Sequence, residues 1–272
     1  MLQPLTGGLA RRCVPPAIAV AMSISTAFAI GWKDSPAVGD IFRRANVAGT
    51  FVMHDPAADT CIGHDKVRAE KRFVPASTFK IPNSLIGLSV GVVTNADQVL
   101  PYRGDPRPFV QAWAKDMGLR EAIALSNVPI YQELARRIGL RRMQKNLSRL
   151  DYGNNELGDS VDTFWLTGPL KISAVEQTRF LAKLARGALP FPNECQRCVR
   201  EIVQLDRGGS WKLYGKTGWQ NAPDQGIGWW VGWVDKEARV YAFALNMDIR
   251  EPADAGKRVE LGKACLKALG IL

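Results

Sequence analysis

Two kinds of hydrophobic pattern run along the chain. Near its start, Thr50-Phe51-Val52-Met53 and Thr60-Cys61-Ile62 are short β-prone runs flanking a turn-rich insert, His54-Asp55-Pro56-Ala57-Ala58-Asp59, and this arrangement predicts a hairpin. Near the other end, Ile227 to Val234 and Val240 to Asn246 are rich in Trp, Val, Tyr and Phe and are separated by Asp235-Lys236-Glu237, which predicts a second one. A further strand is expected at Trp211-Lys212-Leu213-Tyr214-Gly215. Between the two ends the spacing changes to three and four. Ile130, Leu134 and Ile138, then Met143, Leu147 and Leu150, place apolar groups on one helix face. Lys257 to Leu269 reads as a last helix with Gly270 as its stop. Strands at both ends with helices between them predict an α+β fold, an antiparallel sheet assembled from distant parts of the chain with helices packed on it.

The 272 residues are 46% hydrophobic and 23% charged, the balance of a globular protein able to bury a full core. After residue 30 no stretch approaches the roughly 18 to 20 unbroken apolar residues that cross a bilayer, which excludes a polytopic membrane protein. Residues 1–29 read as an export signal: Arg11 and Arg12, an apolar or small run from Val14 to Phe28, and a small-x-small end at Ala27-Phe28-Ala29. Its removal would take the formal charge from +10 to +8, leave the mature chain off the membrane and deliver it to an exported, periplasmic location. The remaining basic residues are dispersed, with neither the clustered face nor the reading motif that points to nucleic acid. No repeat, low-complexity tract or Gly/Ser linker divides residues 30–272, which are expected to form one catalytic domain. Nothing in the sequence fixes the oligomeric state.

Several chemistries lack their parts. The only histidines are His54 and His64, and there is no G-x-S-x-G elbow, no Walker loop and no G-x-G-x-x-G after a strand. Cys195 and Cys198 form a C-x-x-C with no second pair and no nearby histidine, so no metal site is expected. A structural bridge or two idle thiols remain as readings, and Cys61 and Cys265 are left open. A nucleophile in this chain needs a base other than imidazole, and lysine is the candidate. Ser77-Thr78-Phe79-Lys80 supplies the pair: in a helix starting at Ser77, the i+3 position brings the Lys80 amine onto the serine's face. Apolar flanks, Phe73 to Ala76 and Ile81 to Val93, would desolvate the amine and lower its pKa. Alone, an S-x-x-K falls in about one chain of this size by chance. Two further elements follow in order, however: Ser126-Asn127-Val128, then Lys216-Thr217-Gly218.

An S-x-x-K, a second serine and a K-T-G in this order resemble the penicillin-recognising serine enzymes. Within that group the chain is most similar to the class D, oxacillinase-type, β-lactamases. The similarity rests on S-T-F-K at Ser77, S-x-V at Ser126, Y-G-N at Tyr152, W-L-x-G-P-L at Trp165, K-T-G at Lys216 followed by the aromatic Trp219, and G-W-W-V-G-W at Gly228. It covers nearly all of the chain after residue 30. In the second motif Asn127 stands where alanine is more usual, at a position not expected to react.

The resemblance implies an antiparallel sheet flanked by N- and C-terminal helices with a mostly helical subregion. It also implies hydrolysis of penicillins and oxacillin-type β-lactams through an acyl-serine. Ser77 would be the nucleophile, with the Ser77 and Trp219 backbone N–H groups as oxyanion hole. Lys80 would be carboxylated by CO2 or bicarbonate and act as general base, with no other cofactor. Phe79, Val128, Trp165 and Leu166 would keep it unprotonated, Trp165 donating its indole N–H to the carbamate and Val128 and Leu166 governing water access. Ser126 would relay a proton, and Lys216, Thr217 and Gly218 would hold the substrate with its carboxylate. Arg258, rather than Arg250, is the expected C-terminal cation, and Tyr152 and Asn154 are expected to form a turn. A slowly deacylating antibiotic sensor and a cell-wall transpeptidase share these motifs and are the competing readings.

Overall fold

The computed structural model describes residue 1 and residues 31–221 and 226–272; the export-signal reading on residues 1–29 lies outside these, Met1 apart. A seven-stranded sheet is built from β1 (Gly31–Asp34), β2 (Gly49–Asp55), β3 (Thr60–His64), β4 (Gln204–Arg207), β5 (Trp211–Gln220), β6 (Gly226–Lys236) and β7 (Arg239–Ile249). Their spatial order is β1-β3-β2-β7-β6-β5-β4, so β2 from the start of the chain lies beside β7 from its end. Every pairing is antiparallel except β1 with β3, which run parallel. The sheet is therefore mixed at one edge, where the expectation was wholly antiparallel. The physical reason is β1, which the hydrophobic pattern did not reveal because the strand is short and largely exposed.

The first expected hairpin exists with a tighter turn. β2 continues through His54 and Asp55 because His54 is paired on both sides, with Cys61 of β3 and Ala242 of β7. In the second hairpin, Lys236 faces Arg239 and the two linking residues, Glu237 and Ala238, have φ of 50° and 62°. Positive φ at both positions matches the twist of the flanking strands.

Both sheet faces are covered. On one lie α1 (Pro36–Arg44) and α9 (Asp254–Ala268), whose Val38, Phe42, Leu261 and Leu266 pack with Phe51, Trp230 and Phe243 of the sheet. On the other lies the helical region: α2 (Lys66–Glu70), a 3-10 turn at Ala76–Phe79, α3 (Lys80–Ser89), α4 (Leu119–Ala124), α5 (Val128–Ile138), α6 (Leu140–Leu150), α7 (Ala174–Ala185) and α8 (Asn193–Ile202). β6 is buried without interruption from Gly226 to Val234, as a central strand covered on both faces must be. Its run of Trp and Val therefore shows no alternation in the sequence.

The helices begin and end where local chemistry dictates. Ser173 and Glu176 close a capping box at α7. Gly139, at φ 79°, breaks the helical run between α5 and α6, and Gly270, at φ 71°, follows α9. α5 starts at Asn127, a fully buried N-cap. Its Oδ1 accepts the Ile130 N–H at 3.1 Å while its Nδ2 donates to the Trp113 carbonyl at 3.1 Å. One amide thus ties the helix start to the loop before it. Asn127→Ala should lower unfolding free energy by about 1–2 kcal/mol through the lost cap and a stranded carbonyl. Asn127→Asp, which keeps the acceptor but loses the donor, should also be destabilising; urea unfolding of the three proteins measures both effects.

Candidate active site

Ser77 sits in the 3-10 turn that leads directly into α3, so Ser77 and Lys80 share one face without a full α-helical turn between them. The Lys80 Nζ lies 2.9 Å from the Ser77 Oγ. Lys80 is fully buried, and desolvation, with the positive charge of Lys216 as a smaller contribution, holds its pKa well below the ordinary lysine value of 10.5. Its amine is 5.3 Å from the centre of the Tyr131 ring, and the same tyrosine bonds Ser84, whose Oγ donates to the Lys80 carbonyl at 2.8 Å. The pair is a hydroxyl in contact with an amine whose protonation burial disfavours.

The turn is held by groups that do not reach the reacting atoms. Thr78 Oγ1 donates to the Pro75 carbonyl at 2.7 Å and accepts from Gln177 Nε2 at 2.9 Å, and the Tyr152 hydroxyl donates to Gln177 Oε1 at 3.3 Å. Trp229 of β6 donates its indole N–H to the Val74 carbonyl at 2.9 Å. Phe79 stacks on Trp165, with ring centres 5.3 Å apart, and meets Phe164 and Tyr152 edge-on. Asn154 shapes the neighbouring turn by bonding Pro169 and Lys171. Tyr152 and Asn154 are accordingly framework residues.

A cavity of about 260 Å³ is lined by Ser77, Ser126, Val128, Thr217, Gly218, Trp219 and Arg258, so residues from five separate elements and loops converge on it. Ser126 reaches it from the residue before the α5 cap, with φ of 55°. A left-handed conformation in a non-glycine residue is costly, and functional sites are where such cost is tolerated. Lys216 is 6% exposed and directs its Nζ to the Thr217 carbonyl at 3.1 Å. Burial, helped by the Arg258 charge, lowers its pKa to about 7. Arg258 enters from α9, its Nη1 donating to the Gly218 carbonyl at 2.6 Å. Two glycines allow these approaches: a Cβ at Gly218 would lie 2.9 Å from the Pro75 carbonyl, and one at Gly228 would lie 2.9 Å from Arg258 Cδ. Arg250 lies elsewhere, exposed, beside the start of α9.

Trp165 and Leu166 do not line this cavity. Trp165 is fully buried against Phe79, and its indole N–H has no hydrogen-bond partner among the described residues. Phe109 and Trp113 line the cavity but escaped sequence reasoning, since they belong to a loop with no periodicity and no motif. Tyr131 escaped because it reads as one more position on the apolar face of α5. Cys61, Cys195, Cys198 and Cys265 are free thiols, and burial raises the pKa of each, the reverse of what a reactive thiol needs.

A buried lysine beside a serine, a second serine and a K-T-G edge strand on this mixed sheet define a penicillin-recognising serine enzyme. Consistently, the penicillin binding protein transpeptidase domain family matches residues 49–267. Beta-lactamase OXA-10 of Pseudomonas aeruginosa is 38% identical over 258 residues, covering 94% of this chain and 97% of the relative. Beta-lactamase OXA-48 of Klebsiella pneumoniae is 39% identical, covering 87% and 89%. Among solved structures, FUS-1 (OXA-85), a class D β-lactamase from Fusobacterium nucleatum subsp. polymorphum, is 42% identical with a TM-score of 0.85, covering 88% of this chain and all of that one. The chain belongs to the class D β-lactamase family.

The burial of Lys80 has a thermodynamic signature. In the unfolded chain Lys80 stays protonated up to about its ordinary value, whereas in the folded protein it loses its proton at much lower pH. Folding therefore releases a proton in this window, and the Lys80 contribution makes stability rise with pH by ~1.4 kcal/mol per unit, penalising the fold as pH falls. In bicarbonate-free buffer, Lys80→Met should raise unfolding free energy at neutral pH and flatten its increase toward alkaline pH. Urea unfolding across a pH series provides the measurement.

Proposed function

We propose that the protein hydrolyses β-lactams of the penicillin and oxacillin type through an acyl-enzyme on Ser77, with Lys80 carboxylated by CO2 as the general base. The observation that carries this reading is the fully buried Lys80 amine, its pKa lowered by desolvation, 2.9 Å from the Ser77 hydroxyl. Only an unprotonated amine captures CO2, and only a base already beside the hydroxyl can take its proton without imidazole. The donor set also fits: Trp165 carries a buried indole N–H without a partner among the described residues, and a donor in that condition favours an acceptor placed near it. When present, the carbamate supplies a carboxylate-like base at the end of the Lys80 side chain.

The protein's own residues do the rest. Lys80 holds the Ser77 proton acceptor in place, and Ser77 attacks the lactam carbonyl. The Ser77 and Trp219 N–H groups, from the 3-10 turn and from β5, are the donors for the developing oxyanion. Ser126 passes a proton to the departing lactam nitrogen. Lys216, Thr217 and Arg258 hold the substrate carboxylate, and Gly218 leaves room for substrate to pair along the β5 edge. Val128 and Leu166 limit water around Lys80. An exported, periplasmic location fits the signal-like residues 1–29, and it is where such a hydrolase meets antibiotic before its targets do.

Steady hydrolysis of a chromogenic cephalosporin over many turnovers supports this function, whereas one burst followed by a stall would assign the chain to the sensor or transpeptidase readings. Ser77→Ala should abolish acylation, and intact-protein mass spectra should show no penicillin adduct on the variant. Trp165→Ala should slow deacylation by about 10–100-fold, the worth of one hydrogen bond to a charged group. It should also make turnover depend on added bicarbonate; turnover unchanged without bicarbonate would count against the assigned role.

A further inference from the structure

A second cavity, of about 350 Å³, opens at the edge of β5, within the range of small-molecule pockets, ~300–1,000 Å³. It begins where the edge strand gives out. β4 accompanies β5 as far as Tyr214, and the Gly215 N–H reaches Val203 at 2.9 Å; beyond that point no described strand pairs with this side of β5. Thr217 borders this cavity and the reaction cavity alike, and Arg258 and Val259, consecutive in α9, line the first and second respectively. The second cavity therefore adjoins the place proposed for the substrate carboxylate, between Thr217 and Arg258.

The walls have a definite chemistry. Ile123, Ile202, Leu205 and Val259 are apolar, and the half-buried Lys263 and the Trp230 indole supply donors. Trp230 is 1% exposed, with its indole N–H toward the cavity wall. That N–H borders the open space: a Cβ built at Gly215, itself in the cavity wall, would lie 3.5 Å from Trp230 Nε1. A donor at the wall of a cavity is open to an acceptor on a ligand placed there. Asp206, whose carboxylate accepts the Arg207 N–H at 2.8 Å, and Lys216 also line it.

Resting on the proposed β-lactam reading, we infer that this cavity is a specificity subsite for the substituent beside the substrate carboxylate, and that it selects a flat aryl or heteroaryl group carrying a hydrogen-bond acceptor. The ring fills the apolar walls. The acceptor takes the Trp230 N–H, with the Lys263 ammonium as second donor.

The test compares two cephalosporins with the same acylamino side chain, one bearing methyl and the other a nitrostyryl group next to the ring carboxylate. The wild type should favour the nitrostyryl compound in kcat/KM. Leu205→Trp, at an exposed position, should fill the cavity and cut that preference about tenfold, leaving the methyl compound within about twofold. Trp230→Phe, which removes the donor and keeps a ring, should cut it roughly fivefold. In Ser77→Ala, the Trp230 indole N–H resonance, identified by its loss in a Trp230→Phe double variant, should move with the nitrostyryl compound and stay fixed with the methyl one. Equal effects of both variants on the two compounds, with a stationary Trp230 resonance, would overturn the subsite while hydrolysis upheld the β-lactam reading. Hydrolysis of neither compound by the wild type would overturn both.

Discussion

Everything in this protein's site turns on one amine held out of water. Lys80 is fully buried, and an ammonium in such surroundings is far more expensive than a neutral amine. The fold shifts the amine toward its neutral form and sets it against a serine hydroxyl. The surrounding structure serves that condition: Tyr131 and Phe79 supply apolar surface, and Ser84 satisfies the Lys80 carbonyl so that the backbone, unlike the side chain, lacks nothing. The arrangement costs folding free energy, which the two cores on either side of the sheet offset.

Precision in the site comes from elements that cross the molecule. The serine-bearing turn is pinned to the sheet by Trp229 and to α7 by the Thr78–Gln177 bond. Gly218 lets β5 close onto that turn, and Gly228 lets Arg258 lie flat on β6. Three cations of different character result. Burial holds the Lys80 pKa well below its ordinary value, the Lys216 pKa is lowered to about 7, and the Arg258 guanidinium is anchored on the Gly218 carbonyl. One base and two anion-binding groups can coexist in a small space because their surroundings separate their protonation.

Some residues were legible in sequence because their chemistry forces a local pattern. Ser77 and Lys80 are three apart, and any helical turn brings them together. Lys216 to Gly218 carry a motif, and Arg258 lies in a helix whose limits were readable to within three residues at its start. Other residues have no local signature. Asn127 looked inert and is a buried cap holding two segments. Phe109 and Trp113 lie in a loop, and Tyr131 is indistinguishable in sequence from a core residue until its ring is seen against the Lys80 amine. β1 was missed because a short exposed edge strand has no alternation to read.

The amino-acid order by itself determined the two hairpins, the K-T-G strand, the helices around Ile130, Met143 and Lys257, the serine–lysine pair and the family, because periodicity and motif spacing are properties of neighbouring residues. Tertiary structure decided the rest: the parallel edge pair, the depth at which Lys80 lies, the depressed pKa of Lys216, the placing of Trp165 against Phe79 rather than in the cavity lining, and the second cavity beyond Thr217. Burial, cation–cation proximity and cavity shape are sums over segments distant in the chain, and no local pattern encodes such a sum.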